Sequence, residues 1–535
     1  MKNQTVLYHA SFWRGDHFLT DGMIVTEDGR IENIYDSFQP QVLEAAGDAR
    51  DMSGLTLSPG WIDSHLHLPG DFLFRLYGIN FLRCASVEAY RKQLEDCQVA
   101  GRWIRGFGWN ASVMEDGGYE VLQGFLREHF PSRPVLLFSD DYHSCMGNPC
   151  AFAEIAAAGV FVSPDEYGII REKDIFVLTN EFREMSFSEE EMEQAILACQ
   201  DFLLRLGITA VQTLMFLGGN GDREWQVLKR MDEKGLLKLK VNLALTVQPY
   251  EDLGRLEQRL AGMRRYESER IRFFTVKLYM DGVIESRTAY LHEPYEGMTW
   301  AGECSWEEDV LKHLCTRVDA LGYQIHIHAI GDAAVHRAVE ALAEAMDDND
   351  SRGKNRHVIT HIQLAADEDI RWMGQYGIIA AMQPYWFPQR EDAYGLERIY
   401  VGERALQEYK MRTMLDAGVV LTGSSDSPVT DVPDPLAGIS MAAGRCQERE
   451  RVPANVMWEA FTKNGAFQMF RERELGQLEA GFRADVIGFR SGPARQEPQP
   501  AGQDPKPAVQ EPGEMAKAVL AFVMADGEVL ADINR

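Results

Sequence analysis

Between residues 58 and 465 the chain repeats one pattern, in which a short apolar segment rich in β-branched residues is followed by a helical stretch and then by another apolar segment. The apolar segments are LTLSPGWIDSHLH, PVLLFSDDYH, GITAVQTLMF, LKLKVNLALTV, FFTVKLYMDG, YQIHIHAIGD, RHVITHIQ, GIIAAMQP and GVVLTGSSDSP, with helical patterns such as SEEEMEQAILACQDFLLRLG and DAAVHRAVEALAEAMDD between them. Parallel neighbours need a long crossover, usually a helix, so this alternation predicts an α/β fold of parallel strands covered by helices. About 400 residues is the size of a barrel with insertions.

The two ends of the chain read differently. Residues 1–57 predict short strands: QTVLYHASFW, a turn at Arg14–Asp16, then GMIVTEDGRIENIYD, whose Asp28-Gly29 is a two-residue hairpin signal. No helix is needed there. ADVIGFR (484–490) and AVLAFVMADGEVL (518–530), the latter broken by Asp526-Gly527, predict more strands, so both ends together make a small β domain. Residues 491–513 hold six of the 21 prolines and almost nothing apolar, which predicts a surface loop joining two strands.

Composition narrows the partners. The chain has 535 residues, 45% hydrophobic and 25% charged, which suits a globular protein with a sizeable core. Its net charge of −28 repels nucleic acid and anionic lipid, leaving a small molecule as the expected partner; a homodimer is compatible with such a chain. Eight cysteines without a CxxC pair fit a reducing cytoplasm better than a disulfide framework. Neither a secretory signal nor a run of roughly 18 apolar residues is found, so no membrane association is expected.

Polar residues gather where the apolar segments end, and in a parallel barrel those ends converge on one face. His65 and His67, two apart, project to the same side of a strand and can grip one ion; a pair of core histidines is the alternative reading. His328 and His361 each close another segment, and imidazole is the commonest protein ligand for zinc. Asp426, in VVLTGSSDSPV, suits either metal and proton chemistry or a helix N-cap. Lys277 stands in an otherwise apolar strand, where burial favours a neutral amine able to take up carbon dioxide as a carbamate; pairing with Asp281 is the alternative.

These residues and their surroundings resemble the metal-dependent amidohydrolase superfamily, specifically the amidohydrolase-3 or YtcJ-like branch that includes N-substituted formamide deformylase. PGWIDSHLH, HAIGD, THIQ and SSDSPV carry the superfamily resemblance. VKLYMDGVIESRTAYLHEPY (276–295), DDYHSCMGNPCA (140–151), GFGWNASVM (106–114), GITAVQ (207–212) and GQLEAGFRADVIGF (476–489) resemble landmarks of the branch. Two positions depart from it: the usual DGH is Asp141-Tyr142-His143, and Ser427 follows the last-strand aspartate where an aromatic residue is common.

The resemblance implies a (β/α)8 TIM barrel over 58–465 with an insertion around 70–200, flanked by a β-sandwich from residues 1–57 and 466–535. It also implies divalent metal, two zinc ions per chain, held by His65, His67, a carboxylated Lys277, His328, His361 and Asp426. Such ions lower the pKa of bound water to roughly 7 and polarise a carbonyl, with Asp426 as general base and acid and Lys277 as the bridging catalytic ligand; the outcome is hydrolysis of an amide-type C–N bond. His143, Asn148, Tyr279, Arg287, Tyr385 and Trp386 are candidate substrate contacts. A one-metal deaminase is the competing enzyme reading, although HAIGD lacks the His-x-x-Glu pair of such enzymes, and a non-catalytic barrel scaffold is the reading from another class.

Overall fold

The computed structural model describes residues 4–13, 18–99, 101–114, 117–182, 187–214, 222–249, 251–390, 395–490 and 518–532. Eight parallel strands form the barrel: β1 Trp61–Leu66, β2 Ile208–Thr213, β3 Lys240–Thr246, β4 Ile271–Tyr279, β5 Gln324–Ala329, β6 Val358–His361, β7 Ile379–Met382 and β8 Leu421–Gly423. Each pairs in parallel with the next, in sequence order. They read as near-continuous apolar runs because both faces are covered. The long helix predicted at SEEEMEQ forms over Glu189–Arg205, where Ser188 and Glu191 make a reciprocal capping box.

β8 returns beside β1, and two backbone hydrogen bonds tie their ends: Asp426 N–H donates to His65 O at 2.8 Å and His67 N–H to Ser427 O at 2.9 Å. Asp63 reinforces this seam by accepting from the backbone N–H groups of His65 and Ser425. The last ordered turns of the barrel therefore bring the two ends of a 360-residue loop into register.

PVLLFSDDYH lies outside the barrel. Its strand, Val135–Ser139, is the centre of a separate five-stranded sheet made from Ile79–Asn80, Ile104–Trp109, Val135–Ser139, Ser144–Gly147 and Ile169–Arg171, inserted between β1 and β2. Alternation alone could not separate this strand from the barrel, because it is equally apolar and equally buried.

The chain ends share an eight-stranded sheet, with Leu55–Pro59 pairing antiparallel to Val486–Arg490. Both hairpins form as read: Glu27 pairs with Arg30 across Asp28-Gly29, and Ala525 with Glu528 across Asp526-Gly527, all four turn residues having φ between +47° and +82°. One short helix, Pro40–Glu44, interrupts the N-terminal strands where none was expected; Pro at its start presets the backbone. The buried Lys240 ammonium, 2.6 Å from Asp485 and 3.0 Å from Asp526, fastens the barrel to this sheet. The Arg14–Asp16 turn and the 491–513 segment fall outside the described residues.

Candidate metal centre

His65, His67 and Asp426 meet at the seam, and one ligand atom from each lies within 4.8 Å of the others. His67 Nε2 is 3.0 Å from Asp426 Oδ1; His65 Nε2 is 3.1 Å from the same oxygen but without hydrogen-bond geometry. Two imidazole nitrogens aimed at one carboxylate oxygen are what a shared cation would collect. The neighbouring imidazoles complete a ring of contacts: His361 is 5.0 Å from His65 and 4.6 Å from His328 between ring centroids.

Three of the four outer nitrogens have a holder, and His67 Nδ1 has none among the described residues. His361 Nδ1 lies 3.0 Å from Gln383 Oε1, and that amide is oriented by donating to Ser424 Oγ and Thr360 Oγ1, so Nδ1 carries the proton and Nε2 keeps its lone pair. His328 Nε2 donates to the Gly282 carbonyl at 3.2 Å, leaving Nδ1 free to bind. His65 Nδ1 is 2.9 Å from His326 Nε2. Burial holds three of these rings neutral: it drives His65 and His328 well below the usual imidazole range and His361 down to about 4.

Lys277, on β4, is fully buried, and its Nζ has no hydrogen-bond partner among the described residues; it sits 4.6 Å from the Tyr279 ring. Burial pulls its pKa to about 7, against the pull of Asp426 in the other direction. Pairing with Asp281 does not occur. That carboxylate instead accepts from the backbone N–H groups of Tyr290, Ile330 and Gly331 at 2.8–3.0 Å, pinning the loop after β4 to the end of β5. Nor is Asp426 a helix cap; the next helix, Pro435–Gly444, is capped by Asp434. Asp281→Ala would strand three buried N–H groups at about 1 kcal/mol or more each, so unfolding free energy should fall by about 3 kcal/mol in a denaturant titration.

The backbone is strained at the same place. His361, Ile362 and Asp426 have φ of +73°, +48° and +56°, and a β-branched isoleucine pays the most for that conformation. Against the raising effect of burial, His65 and His67 hold the Asp426 carboxyl well below the usual carboxylate range.

Above these groups opens a cavity of about 390 Å³, lined by His65, His67, His328, His361 and Asp426 together with residues of the insertion and the β4, β6 and β7 loops. Of the expected substrate contacts, His143, Tyr279 and Trp386 line it; the Trp386 ring stacks on His361 at 5.5 Å. His143 Nδ1 is 2.9 Å from Glu172 Oε2 and, although burial alone would lower it, Glu172 raises its pKa to about 9. Asn148, Arg287 and Tyr385 stand elsewhere. Asn148 caps the helix Pro149–Ala157, its amide taken up by four backbone groups. The Arg287 guanidinium lies 4.9 Å from the Tyr400 ring, and Tyr385 packs toward Phe461.

Three wall carboxylates, Asp140, Glu285 and Glu397, had no place among the sequence-derived candidates. Asp140 and Glu285 sit inside quoted motifs, but a lone acid in a loop usually faces solvent, and nothing local distinguishes these two.

Comparison with known proteins bears on the family and the fold. The profile of the Amidohydro_3 group, described as an amidohydrolase family, matches residues 48–530. Bacillus subtilis YtcJ, named as an amidohydrolase, is 25% identical over 510 residues, 89% of this chain and 92% of its own length. N-substituted formamide deformylase of Arthrobacter pascens is 23% identical over 483 residues, 83% of this chain and 85% of that enzyme. The crystal structure of an uncharacterized metal-dependent hydrolase from Pyrococcus furiosus superposes with a TM-score of 0.70 at 26% identity, covering 91% of this chain and 99% of the other.

Proposed function

Since the chain belongs to the amidohydrolase family and is a metal-dependent hydrolase, we propose that it cleaves an amide-type C–N bond in a small molecule, with divalent metal, zinc by preference, held by His65, His67, Lys277, His328, His361 and Asp426. The observation that carries this reading is the convergence of imidazoles, one ionised carboxylate and a buried lysine with no hydrogen-bond partner among the described residues at the barrel seam. The donor set of imidazole nitrogen and carboxylate oxygen fits zinc.

Bound there, divalent metal supplies an activated water at neutral pH and polarisation of the scissile carbonyl. The chain's own groups do the rest. Asp426, ionised and facing the cavity, accepts the proton of the attacking water and returns it toward the leaving nitrogen. His143, kept protonated by Glu172 and with its ring 5.5 Å from that of His328, offers an N–H to the substrate oxygen or leaving group. Trp386 and Tyr279 form the aromatic sides that exclude water around the scissile bond.

Metal analysis of the purified chain, followed by a hydrolysis screen of the loaded enzyme against formamides, N-acyl amino acids, cyclic amides and carbamates, tests the proposal. About two equivalents of zinc per chain and turnover of at least one of these classes are expected. One equivalent with ring deamination in place of amide cleavage would favour the one-metal alternative.

A further inference from the structure

The cavity carries five carboxylates besides Asp426. Asp140, Asp141, Glu172, Glu285 and Glu397 all line it, while no Lys or Arg is among its lining residues in the described parts of the chain. Glu172 is balanced by His143, Asp141 accepts from Ser139 Oγ and the His143 N–H, and Asp140 accepts from the Asn110 amide and the backbone around it, with no cationic partner among the described residues. Glu285 differs from these: it stands within the cavity with its side chain exposed to that space, and among the described residues only its own backbone N–H meets it. Glu397 Oε2 is buried without a hydrogen-bond partner among the described residues.

Such an arrangement repels itself. Burial first, and then Asp141, Glu397 and Asp140, push the Glu285 carboxyl up to about 7, and burial with Asp141 does the same to Asp140. Glu285 stands on the β4 loop and the groups acting most strongly on it come from two other segments, the insertion loop and the helix Gly395–Val401, none of them a metal-ligand candidate. Three segments that bring unpaired carboxylates to one concave surface leave a place for a positive charge.

We propose that the substrate carries a cationic nitrogen group, which binds among Asp140, Glu285 and Glu397 while the scissile amide lies against the histidines and Asp426. This deepens the hydrolase reading and rests on it. A cation in that position would pair with Glu285, relieve the repulsion among the three acids, and pass aromatic faces such as Phe138 and Trp386 on the way in. The net charge of −28 would also raise the local concentration of a cation and lower that of an anion.

The test uses three matched probes that resist hydrolysis: N-(4-aminobutyl)methanesulfonamide, N-pentylmethanesulfonamide and 4-(methanesulfonamido)butanoate, titrated calorimetrically into the zinc-loaded full-length chain. The cationic probe is expected to bind at least about tenfold tighter than the neutral one, and the anionic probe more weakly than either. In Glu285→Gln, which removes charge but little shape, the cation-to-neutral ratio should fall by about tenfold, and Glu397→Gln should reduce it as well. Equal binding of the three probes, no binding of any, or an unchanged ratio in both variants would overturn the proposal. The corresponding acetamides separate it from the reading beneath it. Cation-selective binding with no acetamide hydrolysed would sink the C–N hydrolase reading and leave the cationic pocket standing. Equal hydrolysis of the neutral and cationic acetamides, with equal binding, would do the reverse.

Discussion

Replacing His65 with alanine is expected to remove bound metal and hydrolysis together. His65 Nε2 and His67 Nε2 both face Asp426 Oδ1, so alanine takes one of three converging atoms from the seam and unpairs His326 as well. A loss of at least about a thousandfold in kcat/KM, roughly 4 kcal/mol of transition-state stabilisation, should accompany a fall in zinc content to below half an equivalent. The seam itself should survive, since the bonds from Asp426 N to His65 O and from His67 N to Ser427 O are backbone bonds that alanine keeps. An unaltered circular dichroism spectrum would show this. Full metal content with activity within tenfold of the parent would mean that the metal, if bound, sits elsewhere.

Lys277→Ala carries the second large effect. A fully buried amine without a hydrogen-bond partner among the described residues, with its pKa drawn to about 7 by burial, is substantially unprotonated at neutral pH and therefore nucleophilic toward carbon dioxide. The carbamate so formed would be an anionic oxygen ligand beside Asp426 and the histidines. Activity should fall by at least about a hundredfold in the alanine variant, and propionate at millimolar concentration should restore about a tenth of it by occupying the vacated space. Crystals grown with zinc and bicarbonate should show a carboxylate on Nζ. An unmodified lysine remote from any metal in those crystals, with no rescue by propionate, would leave a mechanism built on Asp426 and the histidines alone.

The candidate ligands could be read from the chain because each follows an apolar strand segment, and strand ends of a parallel barrel must meet on one face whatever the loops do. His65, His328, His361 and Asp426 fall where that rule places them. Asn148 and Arg287 show where it stops: both belong to loop motifs, and a loop side chain is directed by its local hydrogen bonds rather than by a repeat. Asn148 satisfies four backbone groups and has nothing left to offer a ligand. The strand Val135–Ser139 was legible as a strand and illegible as to its sheet, since edge pairing depends on contacts made across the insertion.

By itself, then, the sequence determined the strand and helix alternation, both Asp-Gly hairpins and the histidine, lysine and aspartate set at the strand ends, because periodicity, turn chemistry and strand polarity are local properties written in neighbouring residues. Only the tertiary structure decided that Asp281 serves three backbone amides and leaves Lys277 without a hydrogen-bond partner among the described residues, that Gln383 sets the proton of His361, and that Asp140, Glu285 and Glu397 share one cavity. The physical reason is distance along the chain. Asp140 and Glu397 are separated by most of the barrel, and their mutual repulsion exists only once the insertion and the loop after β7 close over the same cavity.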